Sequence, residues 1–198
     1  KREEKATRCD AEAYEFEGDY GKAALEFTKI PDFPAVVRCR WLQKNDGWGE
    51  IVKLADQRPD LATRMEALFA RALNTSDMSI GVSAIKELGA RVASGNAETT
   101  NDLLTHQHVW ANALNHLLDK LLAVGRAFSI PVLPHLMQLR EIGIPIKPAS
   151  VAQVAFKEAD YQLAVVLWEA ANEIKSTSYY YAKAKTTPYP ESLNYCAY

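Results

Sequence analysis

The spacing of apolar residues along the chain predicts helices. In one stretch the apolar side chains stand at Trp110, Leu114, Leu117, Leu118 and Leu121, and these steps place them on one face of an α-helix. Sustained alternation of apolar and polar residues, which is typical of strands, is almost absent. The pattern therefore predicts an all-α protein, with the four tryptophans on apolar stripes that face its core.

The prolines separate these periodic segments. Most of the nine fall between them, and Pro131 and Pro134 fall near the first turn of one, where a missing N–H costs little. Short helices joined by tight turns favour antiparallel hairpins. The breaks predict roughly a dozen helices, at approximately 1–17, 20–30, 33–44, 48–57, 60–74, 79–94, 102–124, 130–142, 149–158, 161–175, 177–185 and 190 onward.

Two segments repeat the same residues at the same spacing. The chain reads GDYGKAALEF at 18–27 and ADYQLAVVLW at 159–168, an offset of 141 residues. In each, the Asp suits a helix N-cap, and the Tyr, the small residues and the aromatic residue form one stripe. Weaker copies begin at Gly47 and Gly125. An offset near four times 35 is typical of stacked helical hairpins. We therefore predict one continuous array over 1–198, a right-handed α-solenoid of about five to six antiparallel helix hairpins.

Two repeat families resemble parts of this chain. Residues 11–34 resemble a tetratricopeptide repeat, through Ala11, Tyr14, Gly18, Asp19, Tyr20, Ala23, Phe27 and Pro34. Residues 110–170 resemble pentatricopeptide repeats, through ANAL at 111–114, the turn at Gly125-Arg126 and the link LREIGIPIKP at 139–148. The first resemblance implies a concave groove that binds peptides or partner proteins. The second implies single-stranded RNA bound at one base per repeat, mostly in mitochondria and plastids.

Composition and charge narrow the function classes. An apolar fraction of 48% and a charged fraction of 24% are ordinary for a folded protein. The 23 basic and 25 acidic residues leave a net charge of -2, which argues against a domain that coats nucleic acid but not against a local basic patch. No apolar run approaches the ~20 residues of a membrane span.

The cysteines indicate a cellular compartment, and the chain ends indicate whether the sequence is a segment. Cys9, Cys39 and Cys196 are far apart and odd in number, so no disulfide framework or zinc motif is indicated. We expect an intracellular, reducing compartment, either the mitochondrial matrix or the cytoplasm. The chain begins at Lys1 rather than Met and stops shortly after a helix start at 190–192. We therefore expect a segment of a longer protein.

Catalytic and metal-binding patterns are missing from the sequence. There is no Gly-x-Ser-x-Gly elbow and no phosphate-binding loop that ends in Gly-Lys-Ser/Thr. On a helix His106 and His108 point apart, and Asp102 with His106 has no third ligand nearby in the sequence. We expect no enzyme, no cofactor, no metal site and no small-molecule substrate.

Three groups of residues are candidates for binding a partner. The first is a pair of amide side chains on one helical face. They would either hydrogen-bond a peptide backbone or a base, or simply face solvent. The second combines tyrosines with lysines. The tyrosines would either stack on bases while the lysines neutralise phosphates, or pack between hairpins. The third is a basic cluster beside Trp41, either a phosphate patch or ordinary surface charge. In the same order they are Asn112 and Asn115; Tyr179, Tyr180, Tyr181, Lys183 and Lys185; and Arg38 and Arg40.

These features together favour a non-catalytic function. We expect a helical-repeat scaffold or adaptor in a larger protein or ribonucleoprotein assembly, which binds other protein subunits along its groove. The alternative is a pentatricopeptide-type protein that binds single-stranded RNA in an organellar, mitochondrial RNA-processing or ribosomal complex. Steep weakening of binding by salt would distinguish RNA from a protein partner.

Overall fold

A computed structural model describes residues 2–124 and 130–171, and in these ranges all regular secondary structure is helical. The predicted all-α class is thus confirmed for this part of the chain. It has eleven helices: α1 Arg2–Glu17, α2 Tyr20–Lys29, α3 Phe33–Leu42, α4 Asn45–Gln57, α5 Met65–Asn74, α6 Met78–Ala93, α7 Ala97–Thr105, α8 Gln107–Ala123, α9 Leu133–Glu141, α10 Pro148–Lys157 and α11 Tyr161–Ala170.

One predicted helix is interrupted. The sequence pattern predicted a single helix over 102–124, but α7 ends at Thr105 and α8 begins at Gln107. The indole N–H of the buried Trp110 donates to the Asp102 carboxylate at 2.8 Å. In a continuous helix these residues would be about 12 Å apart along the axis. The break at His106 therefore brings the Asp102 carboxylate within hydrogen-bond distance of the Trp110 indole, which a straight helix would not do.

The chain forms two compact units, Lys1–Ala84 and Ile85–Tyr198, and each is described by itself. In the first unit α1 packs on α2, α2 on α3, α3 on α4 and α4 on α5. Its aromatic core joins α3, α4 and α5. The Trp41 ring centroid lies 5.9 Å from that of Trp48 and 6.3 Å from that of Phe69, the latter edge-on. Such pairs add a modest attraction to the burial of their apolar area.

In the second unit α10 is the central helix. It packs against α8, α9 and α11, while α7 packs against α8. Trp110 and Trp168 are buried here, as Trp41 and Trp48 are in the first unit, so the prediction of four core tryptophans is confirmed. The Phe156 ring packs against those of Tyr161 and Trp168, with centroid distances of 5.2 Å and 6.2 Å.

The two similar segments form the same turn between two packed helices. Gly18 and Ala159 both have a positive φ, of 80° and 65°. The next residue donates its backbone N–H to the carbonyl five residues before it, from Asp19 to Tyr14 at 2.9 Å and from Asp160 to Ala155 at 2.8 Å. This is the hydrogen bond that characterises a Schellman helix end. The repeated sequence therefore encodes a repeated structure.

Equivalent side chains in the two hairpins are also buried alike. The pairs that are 141 residues apart are Ala11 and Ala152, Ala23 and Ala164, Ala24 and Val165, and Phe27 and Trp168, and all eight residues are buried. The predicted tyrosines at the head of the stripe, Tyr20 and Tyr161, are only half-buried. Small residues let the two helices approach, and the aromatic residue at the end of the stripe fills the remaining space.

A third turn has the same geometry although the sequence pattern did not reveal it. Gly95, between α6 and α7, has a φ of 72°, and Asn96 donates its N–H to Arg91 O at 3.0 Å. The Asn96 side chain accepts from Thr99 N at 2.8 Å, as a helix N-cap does. Gly-Asn serves here in place of Gly-Asp, and no Tyr follows.

Candidate partner-binding surface

The two candidate arginines on α3 form ion pairs within the first unit. Arg38 Nε and Nη2 donate to the two carboxylate oxygens of Glu15, on α1, at 2.7 and 2.8 Å. Arg40 Nε lies 2.6 Å from Glu50 on α4, and its Nη1 donates to Gln43 at 2.7 Å. The bond to Glu15 also raises the pKa of the Arg38 guanidinium. A phosphate at this place would have to compete with both carboxylates.

The residues between and beside these arginines face the core. Cys39 and Trp41 are buried, and burial raises the pKa of the Cys39 thiol to about 12. Successive residues of a helix are turned by about 100°, so Arg38 and Arg40 point to nearly opposite sides of α3, toward Glu15 of α1 and Glu50 of α4, while Cys39 lies between these directions. The cluster at 38–41 therefore holds α3 to its neighbours and contributes only guanidinium edges to the surface.

The two candidate asparagines on α8 have different environments. Asn115 Oδ1 accepts from Lys147 N at 2.9 Å, and its Nδ2 donates to Pro145 O at 3.3 Å. Lys147 Nζ also lies 3.2 Å from Asp119. These bonds hold the segment before α10 against α8. Asn112, in contrast, is exposed. The structure therefore separates a residue that joins two helices from one that is available at the surface.

Asn112 has two polar neighbours that the sequence reasoning did not connect with it. His108 and His116 lie four residues before and after it, and all three side chains are exposed. Residues four apart on a helix stand one above the other, about 6 Å apart along the axis. We call this row, His108, Asn112 and His116, the α8 edge. The four-residue spacing in the sequence was the signal that could have connected them, but the sequence analysis related His108 only to His106 and did not relate either His108 or His116 to Asn112.

A pair of adjacent charged residues links the α10–α11 turn to the two preceding helices. The Glu158 carboxylate accepts from Val132 N at 2.7 Å and from Leu133 N at 3.3 Å, at the start of α9. Lys157 Nζ donates to Leu122 O at 3.4 Å, near the end of α8. The negative group thus meets a helix N-terminus and the positive group a C-terminus, which is the favourable arrangement for both helix dipoles.

Metal-binding geometry was not found in the part of the chain that the structure describes. His106 Nε2 lies 3.9 Å from Asp102 Oδ1, and Asp102 accepts a hydrogen bond from Trp110. Within residues 2–124 and 130–171 no three His, Cys, Asp or Glu side chains are grouped so that they could hold a metal ion. Over the same ranges, no helix has the length and apolar character needed to cross a membrane.

The remaining candidates, Tyr179, Tyr180, Tyr181, Lys183 and Lys185, lie outside the described residues, as does Cys196.

The described residues form an all-helical fold in which one helical hairpin occurs twice. No protein-family model matches the chain, and neither the curated proteins nor the solved structures gave a match.

Proposed function

We propose that this chain is a non-catalytic scaffold or adaptor, a right-handed α-solenoid that holds another protein subunit along one side of its hairpins. The observation that supports this most strongly is the repeated hairpin itself. The α1–α2 and α10–α11 pairs share their turn geometry, their Asp N-caps and their buried stripe. Stacked copies of a unit that cannot bury its own apolar face form extended arrays.

The order of helices in the second unit agrees with stacking. Lys147, just before α10, contacts Asn115 and Asp119 of α8, and Lys157, at the end of α10, contacts Leu122. Helices α8 and α10 therefore run side by side in the same direction, with α9 between them in the chain. In a solenoid the first helices of successive hairpins have this relationship.

The surface chemistry favours a protein partner. The α8 edge offers an exposed amide at Asn112, which can both donate to and accept from a peptide backbone. The arginines that would attract phosphate, Arg38 and Arg40, are already paired with Glu15 and Glu50. In this proposal the partners are other subunits of a larger assembly, in the reducing setting that the sequence predicts. No cofactor or substrate takes part.

A site-specific photo-crosslinker tests the proposal. Benzoylphenylalanine is placed at Asn112 of the full chain, in cells that produce the protein naturally, and at the exposed Leu25 on α2 as a matched control. We expect a protein adduct from position 112 and none from position 25. An RNA adduct from position 112, formed in a yield that falls steeply as salt rises, would contradict a protein partner and favour the RNA alternative. Equal adducts at both positions, or none, would contradict binding at the α8 edge.

A further inference from the structure

The Asp102 carboxylate contacts two side chains beyond the end of α7. Its Oδ2 accepts from the indole N–H of the buried Trp110 at 2.8 Å. Its Oδ1 lies 3.9 Å from His106 Nε2, which is an ion-pair distance when the imidazole is protonated. One carboxylate of α7 is thus shared between the residue at the helix break and the core of α8.

His106 is the joint between the two helices. Its φ and ψ are −115° and 33°, outside the helical range, and it is both the C-cap of α7 and the N-cap of α8. Its N–H donates to Asp102 O at 2.9 Å, and its carbonyl accepts from Trp110 N at 3.1 Å. Because its side chain forms no cap bond with α8, the imidazole is left to interact with the Asp102 carboxylate.

Helix α7 has little buried surface to hold it in place. Of its nine residues, which the structure describes in full, Leu103 alone is buried, whereas α8 has seven buried residues. The helix packs against α8. Elements with few buried apolar contacts open from the fold at a low free energy. A polar contact at the end of such a helix therefore changes how often the helix opens by a measurable factor.

Among the described residues, Asp102 is the charged group that faces His106. On α7, Glu98 stands eight residues before His106. On α8, His108 follows two residues later and is exposed to solvent. The lysines of α10 meet α8 at Asp119 and beyond it. The remaining titratable or charged side chains of α8 lie ten or more residues from His106 and are His116, Asp119 and Lys120.

We infer that His106 and Asp102 form a pH-sensitive latch between α7 and α8. Histidine is the side chain that gains and loses its charge between about pH 5 and 8. Protonated His106 attracts the Asp102 carboxylate and so keeps α7 at its contact with Trp110, whereas neutral His106 does not. A rise in pH therefore favours opening of α7. Because the two side chains are 27% and 33% exposed, we expect a change of about threefold in the opening equilibrium. The inference does not depend on what binds at Asn112.

Hydrogen exchange of the full chain tests the inference. Amide exchange in α7, corrected for the intrinsic effect of pH on exchange, is measured at about pH 5.5 and about pH 8, with the amides of α10 as the internal reference. We expect α7 to open about threefold more often at the higher pH, and α10 to show no such change. His106→Gln should remove the dependence, because its amide is neutral at both pH values. The matched variant His108→Gln, at the exposed histidine two residues later, should keep it.

Trp110 provides a second readout because its indole N–H shares the Asp102 carboxylate. In a chain labelled with nitrogen-15 tryptophan, the indole signal that shifts in Asp102→Asn is that of Trp110. In the wild type this signal should move with a midpoint between about pH 5 and 8, and in His106→Gln it should stay in place.

Three outcomes would overturn the inference: opening of α7 that does not change with pH in the wild type, a dependence that survives His106→Gln, or one that His108→Gln removes. If His106→Gln does not fold, Asp102→Asn replaces it, since the amide oxygen still accepts from the indole but does not attract an imidazolium. None of these outcomes affects crosslinking at Asn112.

Discussion

Asp19 and Asp160, 141 residues apart, cap α2 and α11 in the same way. Their φ and ψ angles are −83° and 65° for Asp19 and −87° and 76° for Asp160. Each side chain accepts from the backbone N–H three residues later, at 3.2 Å from Lys22 and 3.1 Å from Leu163. The residue before each Asp has a positive φ. The two hairpin turns are therefore equivalent in structure but differ in that one has Gly and the other Ala at this position.

This difference predicts opposite effects of two exchanges. Gly18→Ala should lower the free energy of unfolding by about 1 kcal/mol, because a β carbon is strained at φ 80° although nothing lies within 4 Å of it. Ala159→Gly should raise it by roughly 0.5 kcal/mol, since glycine relieves the same strain but gains freedom in the unfolded chain. Urea denaturation of the two variants measures both values. Shifts of the same sign would show that the turns are not equivalent.

Two glycines on α4 should also respond differently to alanine. A β carbon on Gly47 would overlap the backbone carbonyl of Arg40, which cannot rotate away, whereas one on Gly49 would have only Asn74 Oδ1 at 4.0 Å. Gly47→Ala should therefore destabilise the protein by roughly 3 kcal/mol. Gly49→Ala should stabilise it by about 0.5–1 kcal/mol, because alanine favours a helix interior.

Thermal or chemical unfolding of the two glycine variants checks this pair, and the wild type serves as the reference. A Gly47→Ala protein as stable as the wild type would contradict the close approach of α3 and α4.

Acid should weaken the first hairpin through Asp19. The hydrogen bond from the Lys22 side chain holds the pKa of Asp19 below its ordinary 3.8. A carboxyl with a lowered pKa in the folded state stabilises the protein fully above pH 3.8, and this contribution is lost as the pH falls through the lower folded value. We therefore expect unfolding free energy to fall with pH below about 4.

Asp19→Asn is the control for this dependence, because an amide oxygen still caps the helix but does not titrate. Chemical denaturation at several acidic pH values should give a shallower decline for Asp19→Asn than for the wild type. Parallel curves would assign the acid sensitivity to other groups.

Glu158 should stabilise the second unit by satisfying the start of α9. Glu158→Ala leaves the backbone N–H groups of Val132 and Leu133 without their carboxylate acceptor. It should therefore lower the free energy of unfolding by about 1–2 kcal/mol. Gln153→Ala, at an exposed position of α10, should change stability by less than about 0.5 kcal/mol. Hydrogen exchange of the Val132 and Leu133 amides should quicken in Glu158→Ala. Unchanged exchange would place the stabilising role of Glu158 elsewhere.

The candidate surface was predictable only in part. Asn112 and Asn115 share a side of α8 as their spacing requires, but Asn115 is engaged by Pro145 and Lys147, about 30 residues later. The sequence placed Arg38 near the surface, yet Glu15, 23 residues before it, became its partner. Spacing along one helix defines which residues share a side of that helix. The partner that such a residue contacts depends on which helices pack against that side.

The sequence by itself determined the all-helical class, the burial of the four tryptophans and the repeated hairpin with its Asp caps. These features depend on side-chain spacing and on hydrogen bonds that span three to five residues, so they are written locally. Only the tertiary structure decided the break at His106, the partners of Arg38 and Asn115, and which side of α1 is left exposed. Each of these depends on the packing of helices against one another, and the same apolar and polar pattern is compatible with more than one such arrangement.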